Sequence, residues 1–374
     1  MDEKKVLLAT RPLVPPWDEA SKNFAYFLGR GVKNHSLTLL TTPEHLSGLP
    51  FSAEEEPIYA SGHFDFSAKK NLFSFLRRSR DTFDVTHYLF TPTKWNTALI
   101  RFFARPRRGK TIQTVATVRD DLYGNKKLRS LFFADCLITY TDLTKKKLER
   151  LGFTNVTRIY PGIDLDIYQP RPKDESILKM YGLASEDFLV VYPGEYTRLG
   201  ATDMIANTFI KYFKETPQST MKFLFACRIK NEADKEKREA LRKEVKEYGL
   251  ENKILFEENT TRDMAALYNT ADVIIFPVGD LNGKFDVPLI IVEAYASGKP
   301  VILSDLAQFQ EFANDRICVT IPRGSGKDLI EKVFYLKENT YEREKLGENA
   351  RRFVKDHFDL KNTAKQYEEI YSLL

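Results

Sequence analysis

Glu293 is a lone carboxylate inside IIVEAYA, a run that would otherwise give a helix a fully apolar surface. Pro288 suits the first turn of that helix, and Gly298 suits its end. Val287 or Asp286 is expected to cap it. Leu289, Val292 and Ala296 would share the face packed on a sheet, with Glu293 off that face roughly one and a half turns in. Free N–H groups at a helix start, together with the dipole, favour an anion such as a diphosphate. A carboxylate slightly deeper can accept hydrogen bonds from two neighbouring hydroxyls, and a ribose diol beside a diphosphate is such a pair. A solvated helix carboxylate without a ligand is the other reading, and the residue alone leaves both open.

Three further stretches carry groups able to do chemistry. YPGEYTRLGATD (192–203) reads as a strand, a turn at Gly194 and Glu195, and a helix start with Arg198 in the loop. A cation there can neutralise charge building on a leaving diphosphate. An ordinary loop with a surface arginine fits equally. TVRDD (117–121) puts Asp120 and Asp121 beside Arg119 at a strand end. Such a trio can orient hydroxyls or take a proton, or it can be an ion pair at a helix start. RPLVPPWDEASKN (11–23) reads as a long loop after the first strand. Its Trp17, Asp18, Glu19 and Ser21 can reach an acceptor or pack on one another. It lacks GxGxxG, so nothing supports a dinucleotide site. Residues 228–230 and 257–261 are candidate loops for reading a nucleobase.

These groups follow strands, and the elements that must position them alternate along the chain. KVLLAT, SLTLLT, DVTHYLF, TIQTVATV, DCLITYT and VTRIYP read as strands with helical stretches between them. After a polar connection over 164–187 the alternation restarts with FLVVYPG, MKFLFACR, KILFEE, DVIIFP and PVILSD. Helices are expected over 20–31, 201–214, 232–248 and 262–269. The reading is α/β: two doubly wound, mostly parallel domains. Ligands in such sheets sit beyond the carboxyl ends of strands, so a cleft between facing domains is the expected site.

Composition narrows the class. Hydrophobic residues are 43% and charged residues 29%, which suits a globular chain. No apolar run approaches the ~20 residues that span a bilayer. MDEKKVLLAT reads as a first strand and not a signal peptide. Cys136, Cys227 and Cys318 lie apart in apolar segments, which suggests buried thiols in a reducing cytoplasm, and no CxxC or HxxxH pair points to a metal. The net charge of +5 is uneven: residues 1–170 hold 26 basic and 18 acidic side chains, the rest 31 and 34. The excess concentrates in KKNLFSFLRRSR (69–80) and RFFARPRRGK (101–110), which mix Phe with Arg. A solvated face and an anionic membrane surface or acceptor both remain open there, and nucleic acid is not expected.

Four motifs in order resemble one family. IYPGIDLDIYQP (159–170), LYNTADVIIFP (267–277), VEAYASGKPVILSD (292–305) and, in modified form, VYPGEYTRLGATDMI (191–205) are similar to segments of retaining GT-B-fold glycosyltransferases of family 4, the glycosyl transferases group 1. The resemblance spans nearly the whole chain and is strongest over 155–310. It implies a GT-B fold with an acceptor-binding domain over 1–165, rejoined by a C-terminal helix at 358–374, and a nucleotide-sugar-binding domain over 166–357. It implies sugar transfer from a UDP- or GDP-sugar to a glycan or lipid-linked hydroxyl, with retention and without a metal or other cofactor. The setting would be the cytoplasm, at most peripheral on the inner face of a membrane.

Carried over by position, Glu293 takes the ribose and Val287, Pro288, Leu289 and Ile290 meet the diphosphate. Arg198 stands in for the family's phosphate-binding lysine and Glu195 for its arginine, beside Gly194. The family pairs two glutamates eight residues apart. Here Phe285 occupies the first place, flanked by Lys284 and Asp286, so the contact to the sugar hydroxyls is missing or falls to Asp286. Arg119, followed by Asp120, stands where the family often has histidine. These departures leave a non-catalytic, nucleotide-sugar-binding partner subunit as the alternative.

Overall fold

The computed structural model describes residues 2–15, 17, 19–257, 263–281 and 283–374. The chain divides into two compact units. The first comprises Met1–Asp164, Phe285–Val287 and Phe358–Leu374; the second comprises Leu165–Lys284 and Pro288–His357.

The first unit is built on seven strands: β1 (Lys5–Leu13), β2 (Ser36–Thr41), β3 (Ala53–Glu56), β4 (Val85–Tyr88), β5 (Lys110–Val115), β6 (Cys136–Thr139) and β7 (Val156–Arg158). They form one sheet in the order β3-β2-β1-β4-β5-β6-β7, every pair parallel. β4 and β6 are buried at every position, as a central strand covered on both faces must be. The edge strand β3, AEEE, alternates half-buried and exposed residues, and its charges suit a sheet edge. Sequence alternation does not show it. β1 also runs further than expected, through Arg11 to Leu13, with a register shift between Leu8 and Leu13 that lets Leu13 pair with Thr41. The stretch expected to be a loop from Arg11 is therefore strand at its start.

The C-terminal helix Leu360–Leu373 completes this first unit. It packs on the helix Ala20–Gly31 so closely that a Cβ added at Gly31 would lie 2.7 Å from that of Ala364. Tyr371 and Tyr367 reach the sheet. Tyr371 Oη lies 2.8 Å from His87 Nδ1, and Tyr367 Oη lies 3.3 Å from Thr114 Oγ1, which itself meets His87 Nε2 at 2.7 Å. Burial lowers the His87 pKa to about 3, so its ring is a neutral member of this network.

The second unit holds β8 (Phe188–Tyr192), β9 (Met221–Phe225), β10 (Ile254–Phe256), β11 (Val273–Phe276), β12 (Val301–Ser304) and β13 (Val319–Ile321). They form a parallel sheet in the order β10-β9-β8-β11-β12-β13. Both sheets reverse direction beside their first strand, the hallmark of doubly wound α/β units. The expected connection over 164–187 contains one short helix, Glu175–Met180, started by Asp174. Arg351 fastens the connection to the unit: its Nη1 donates to the carbonyls of Tyr168 (2.6 Å) and Ala296 (2.7 Å).

Candidate functional site

The helix Leu289–Ala296 follows β11 and its loop, and leads into β12. It is buried on most of its surface: Ile291, Val292, Ala294, Tyr295 and Ala296 are all enclosed, so no single face packs on the sheet. Its N-cap is Pro288, without a side-chain capping bond, and neither Val287 nor Asp286 caps it as the sequence suggests. The first bond into the helix is Ile291 N–H to Pro288 O at 3.0 Å. The N–H groups of Leu289 and Ile290 precede that bond and belong to the orphan donors of a helix start. Gly298, with φ at 69°, ends the element in a conformation that L side chains resist.

Glu293 sits in the second turn. Tyr268 Oη, from the helix Met264–Thr270, donates to its Oε2 at 3.1 Å. Burial raises the carboxyl to about pKa 7, opposed by hydrogen bonds from Tyr268 and Tyr168 and by the charge of Arg228. Two tyrosine hydroxyls thus aim at the carboxylate from the flanks, and Arg351 holds the carbonyl of one of them.

Glu195 organises a second cluster on this unit. The turn that carries it needs Gly194, because a Cβ there would meet the Tyr192 ring at 2.0 Å. Glu195 is 3% exposed. Its Oε1 takes Lys230 Nζ at 2.6 Å and Lys284 Nζ at 3.2 Å. Burial pushes this carboxyl up, but the two lysines outweigh it and hold its pKa below the usual value. Arg198 is exposed and close enough to repel Lys284, whose pKa is lowered chiefly by burial. Two lysines therefore share one carboxylate, with the Arg198 charge acting on one of them. Lys230 has no part in the sequence expectation as a phosphate group; only its proximity to Glu195, 35 positions earlier, gives it one.

Residues 285–287 behave differently from the expectation. They lie in the first unit, not the second. Asp286 N–H donates to Ala116 O at 2.9 Å, just past β5, and the Phe285 ring meets Tyr140 edge-on at 5.7 Å. The Asp286 carboxylate accepts from the Thr144 hydroxyl. Burial raises it to about pKa 6, against hydrogen bonds from Thr144 and Thr117. Val287 is fully buried.

The other first-unit residues are paired. Arg119 and Asp121 form a two-pronged ion pair, with contacts of 2.7 and 2.8 Å. Asp120 pairs with Lys147, and both act electrostatically on Asp286. Trp17 stacks on Tyr26 at 4.4 Å, and its carbonyl accepts from Asn23 at 3.2 Å. Glu19 pairs with Arg11 at 2.5 Å and precedes the helix in which Ser21 is half-buried. Asp18, and residues 258–261 of the candidate base-reading loop, lie outside the described residues.

Two parallel α/β units of this strand order, the second with a helix-start carboxylate and a cation cluster, define the GT-B class of glycosyltransferase fold. Residues 197–353 match the family model for glycosyl transferases group 1, which takes in Arg198, Lys230, Lys284 and Glu293. Apart from Phe285–Val287, that segment lies within the second unit, and it is similar to group 1 glycosyltransferases. Solved structures agree on the fold. Alr3699/HepE from Anabaena, in complex with UDP-glucose, aligns over 100% of both chains with a TM-score of 0.75 at 15% identity. Sucrose-phosphate synthase from Thermosynechococcus elongatus aligns over 100% of this chain and 99% of its own, with a TM-score of 0.76 at 16% identity. A glycosyltransferase from Rickettsia africae covers 99% and 98%, with a TM-score of 0.75 at 16% identity. No curated protein matches the chain.

Proposed function

We propose that the protein is a retaining, metal-independent glycosyltransferase that moves a sugar from a nucleoside-diphosphate sugar to the hydroxyl of a glycan or lipid-linked acceptor. One observation carries the reading: Glu293, flanked by two tyrosine hydroxyls in the second turn of a helix whose first N–H groups have no bond among the described residues, inside the segment that matches group 1 glycosyltransferases. The ribose diol replaces Tyr168 and Tyr268 on the carboxylate. The diphosphate lies at Pro288, Leu289 and Ile290 and draws on Arg198, Lys230 and Lys284. The Anabaena protein of the same fold was solved with UDP-glucose, which favours a uridine donor.

The bond from the anomeric carbon to the diphosphate oxygen breaks as the acceptor oxygen forms its own bond to that carbon on the same face. The proton of the acceptor hydroxyl passes to the leaving phosphate. Arg198, the lysines and the helix start stabilise the charge that develops there, so the chain's own cations serve where other transferases use a metal. On the first unit Asp286, Asp120 and Arg119 are the acceptor-side groups, with Trp17 and Glu19 before the helix Ala20–Gly31 and Ser21 in its first turn.

Thermal shift against UDP, GDP, ADP and CMP, with Glu293→Ala alongside, tests the donor site. A ligand specific for the folded state adds about 2.7 kcal/mol at a hundredfold excess over its dissociation constant. A rise with one diphosphate that the variant loses supports the reading; no rise with any of them sinks it. A second reading, a nucleotide-sugar-binding subunit without transfer, draws on Phe285 in the place of the first acid and on Asp286 being engaged by Thr144. Slow hydrolysis of the donor by the pure protein separates the two.

A further inference from the structure

The helix Lys94–Leu99 continues directly as a π-helical turn, Ile100–Ala104. Ile100 and Ala104 point inward and join a core with Ala68, Leu72, Phe75 and Leu76 of the helix Phe66–Arg78. The opposite side is left to solvent although it is apolar. Trp95 is 82% exposed, Leu99 42%, Phe102 72% and Phe103 56%. Trp95, Leu99 and Phe103 recur every fourth residue, so they fall along one side of the rod, with Phe102 next to them. Large side chains so exposed and so grouped mark an interaction surface.

Its charge says what the surface meets. Residues 94–110 contain six Lys and Arg and no Asp or Glu. The second basic stretch, 80 and below, joins the first: Arg80 Nε donates to Arg105 O at 2.9 Å, and Arg107 N–H donates to Arg80 O at 3.2 Å. Among the described residues no carboxylate pairs with Lys70, Arg77, Arg78, Lys94, Arg101 or Arg108. Two basic stretches separated in sequence thus form one cationic field around an aromatic ridge. No described helix is long and apolar enough to cross a membrane.

We infer that the first unit docks on an anionic lipid bilayer through Trp95, Leu99, Phe102 and Phe103, with the surrounding Lys and Arg held at the headgroups. Tryptophan and phenylalanine at headgroup depth beside unpaired cations are the chemistry of a peripheral anchor. The inference uses no feature of the donor site, so it stands or falls apart from the reaction proposed above.

The sequence contains two tryptophans, Trp17 and Trp95, so Trp17→Phe leaves Trp95 as the single reporter. Vesicles of phosphatidylcholine mixed with phosphatidylglycerol are expected to bind this protein and shift Trp95 emission to the blue, and pure phosphatidylcholine is not. Raised salt should weaken binding. Trp95→Ala/Phe102→Ala/Phe103→Ala, and separately Lys94→Glu/Arg101→Glu/Arg108→Glu, should each lose about tenfold or more in vesicle partition. All these side chains are exposed, so circular dichroism should match the parent. Equal binding by the folded variants, or no binding to anionic vesicles, overturns the inference. So does a concentration-dependent dimer that the aromatic variant abolishes, which would make the ridge a self-association face.

Discussion

The hydroxyl of Thr144 donates a hydrogen bond to the carboxylate of Asp286, although 142 positions of chain separate them. The bond fastens the stretch that introduces the Glu293 helix to the first unit. Thr144→Val keeps the shape and removes the donor. Losing it should cost about 1–3 kcal/mol, since it leaves a buried carboxylate short of a partner. Thr144 favours the ionised form, so Asp286 should titrate above its present value of about 6 in the variant. The cost should then be larger at pH 7.5 than at pH 5, where Asp286 is protonated. Urea unfolding of both proteins at the two pH values measures the difference, and an equal cost at both would refute the account.

Donor affinity should depend on Glu293 through pH. An ionised carboxylate accepts from two ribose hydroxyls, whereas the protonated form gives up one acceptor position. Affinity for a nucleoside-diphosphate sugar is expected to rise as pH climbs from 6 to 8 through the Glu293 pKa of about 7. In the Glu293→Gln variant the slope should vanish. The same group has the opposite effect on stability. Its folded pKa lies above the ordinary carboxyl value of 4.5, so the folded state holds the proton more tightly and stability falls between pH 4.5 and 7. Isothermal titration with a UDP-sugar across the range is the direct check.

Glu195 should restrain the cations around it. Replacing it with Gln leaves Lys230 and Lys284 without their shared carboxylate. Diphosphate binding is expected to tighten severalfold, because the ligand no longer competes with a built-in anion. Stability should drop by about 1–2 kcal/mol, less than for a fully enclosed pair, because both lysines keep contact with water. Calorimetry with UDP reads the first effect and thermal unfolding the second. Weaker binding in the variant would mean that Glu195 positions the lysines instead of opposing the ligand.

Much of the fold is legible in the sequence because parallel strands buried on both faces write themselves as unbroken apolar runs, as in FLVVY and VIIF. Glu293 stands out for the same reason, as a charge in a run that has no other. What escapes is what tertiary contact creates. β3 is AEEE, and β13 is three residues long; neither has the apolar run of a central strand. Phe285, Asp286 and Val287 look like part of the helix they precede, yet Ala116, Thr144 and Tyr140 claim them. Lys230 gains its place beside Glu195 only when β8 and β9 lie side by side. Trp95 draws no notice in the sequence; it is the inward packing of Ile100 and Ala104 that leaves it at the surface.

His87 should contribute to the acid sensitivity of the first unit. Its folded pKa of about 3 lies below the ordinary imidazole value of 6.5, so the unfolded chain takes up a proton that the folded one refuses. This part of the stability is present above pH 6.5 and is lost progressively as pH falls towards 3. A His87→Gln variant should be less stable at pH 7.5, by about 1–3 kcal/mol for the disturbed bonds, and should show a shallower loss in acid. Acid unfolding curves that keep the same steepness in the variant would assign that loss to other groups.

The contacts that the C-terminal helix makes with His87 and Thr114 impose an order on biosynthesis. The seven-stranded sheet emerges first from the ribosome, but the two tyrosines that satisfy its central histidine arrive with Leu360–Leu373. Until then the nascent first unit carries an uncovered polar centre, while the second unit has all its strands in hand. The N-terminal half of this protein is therefore the part whose packing is completed last.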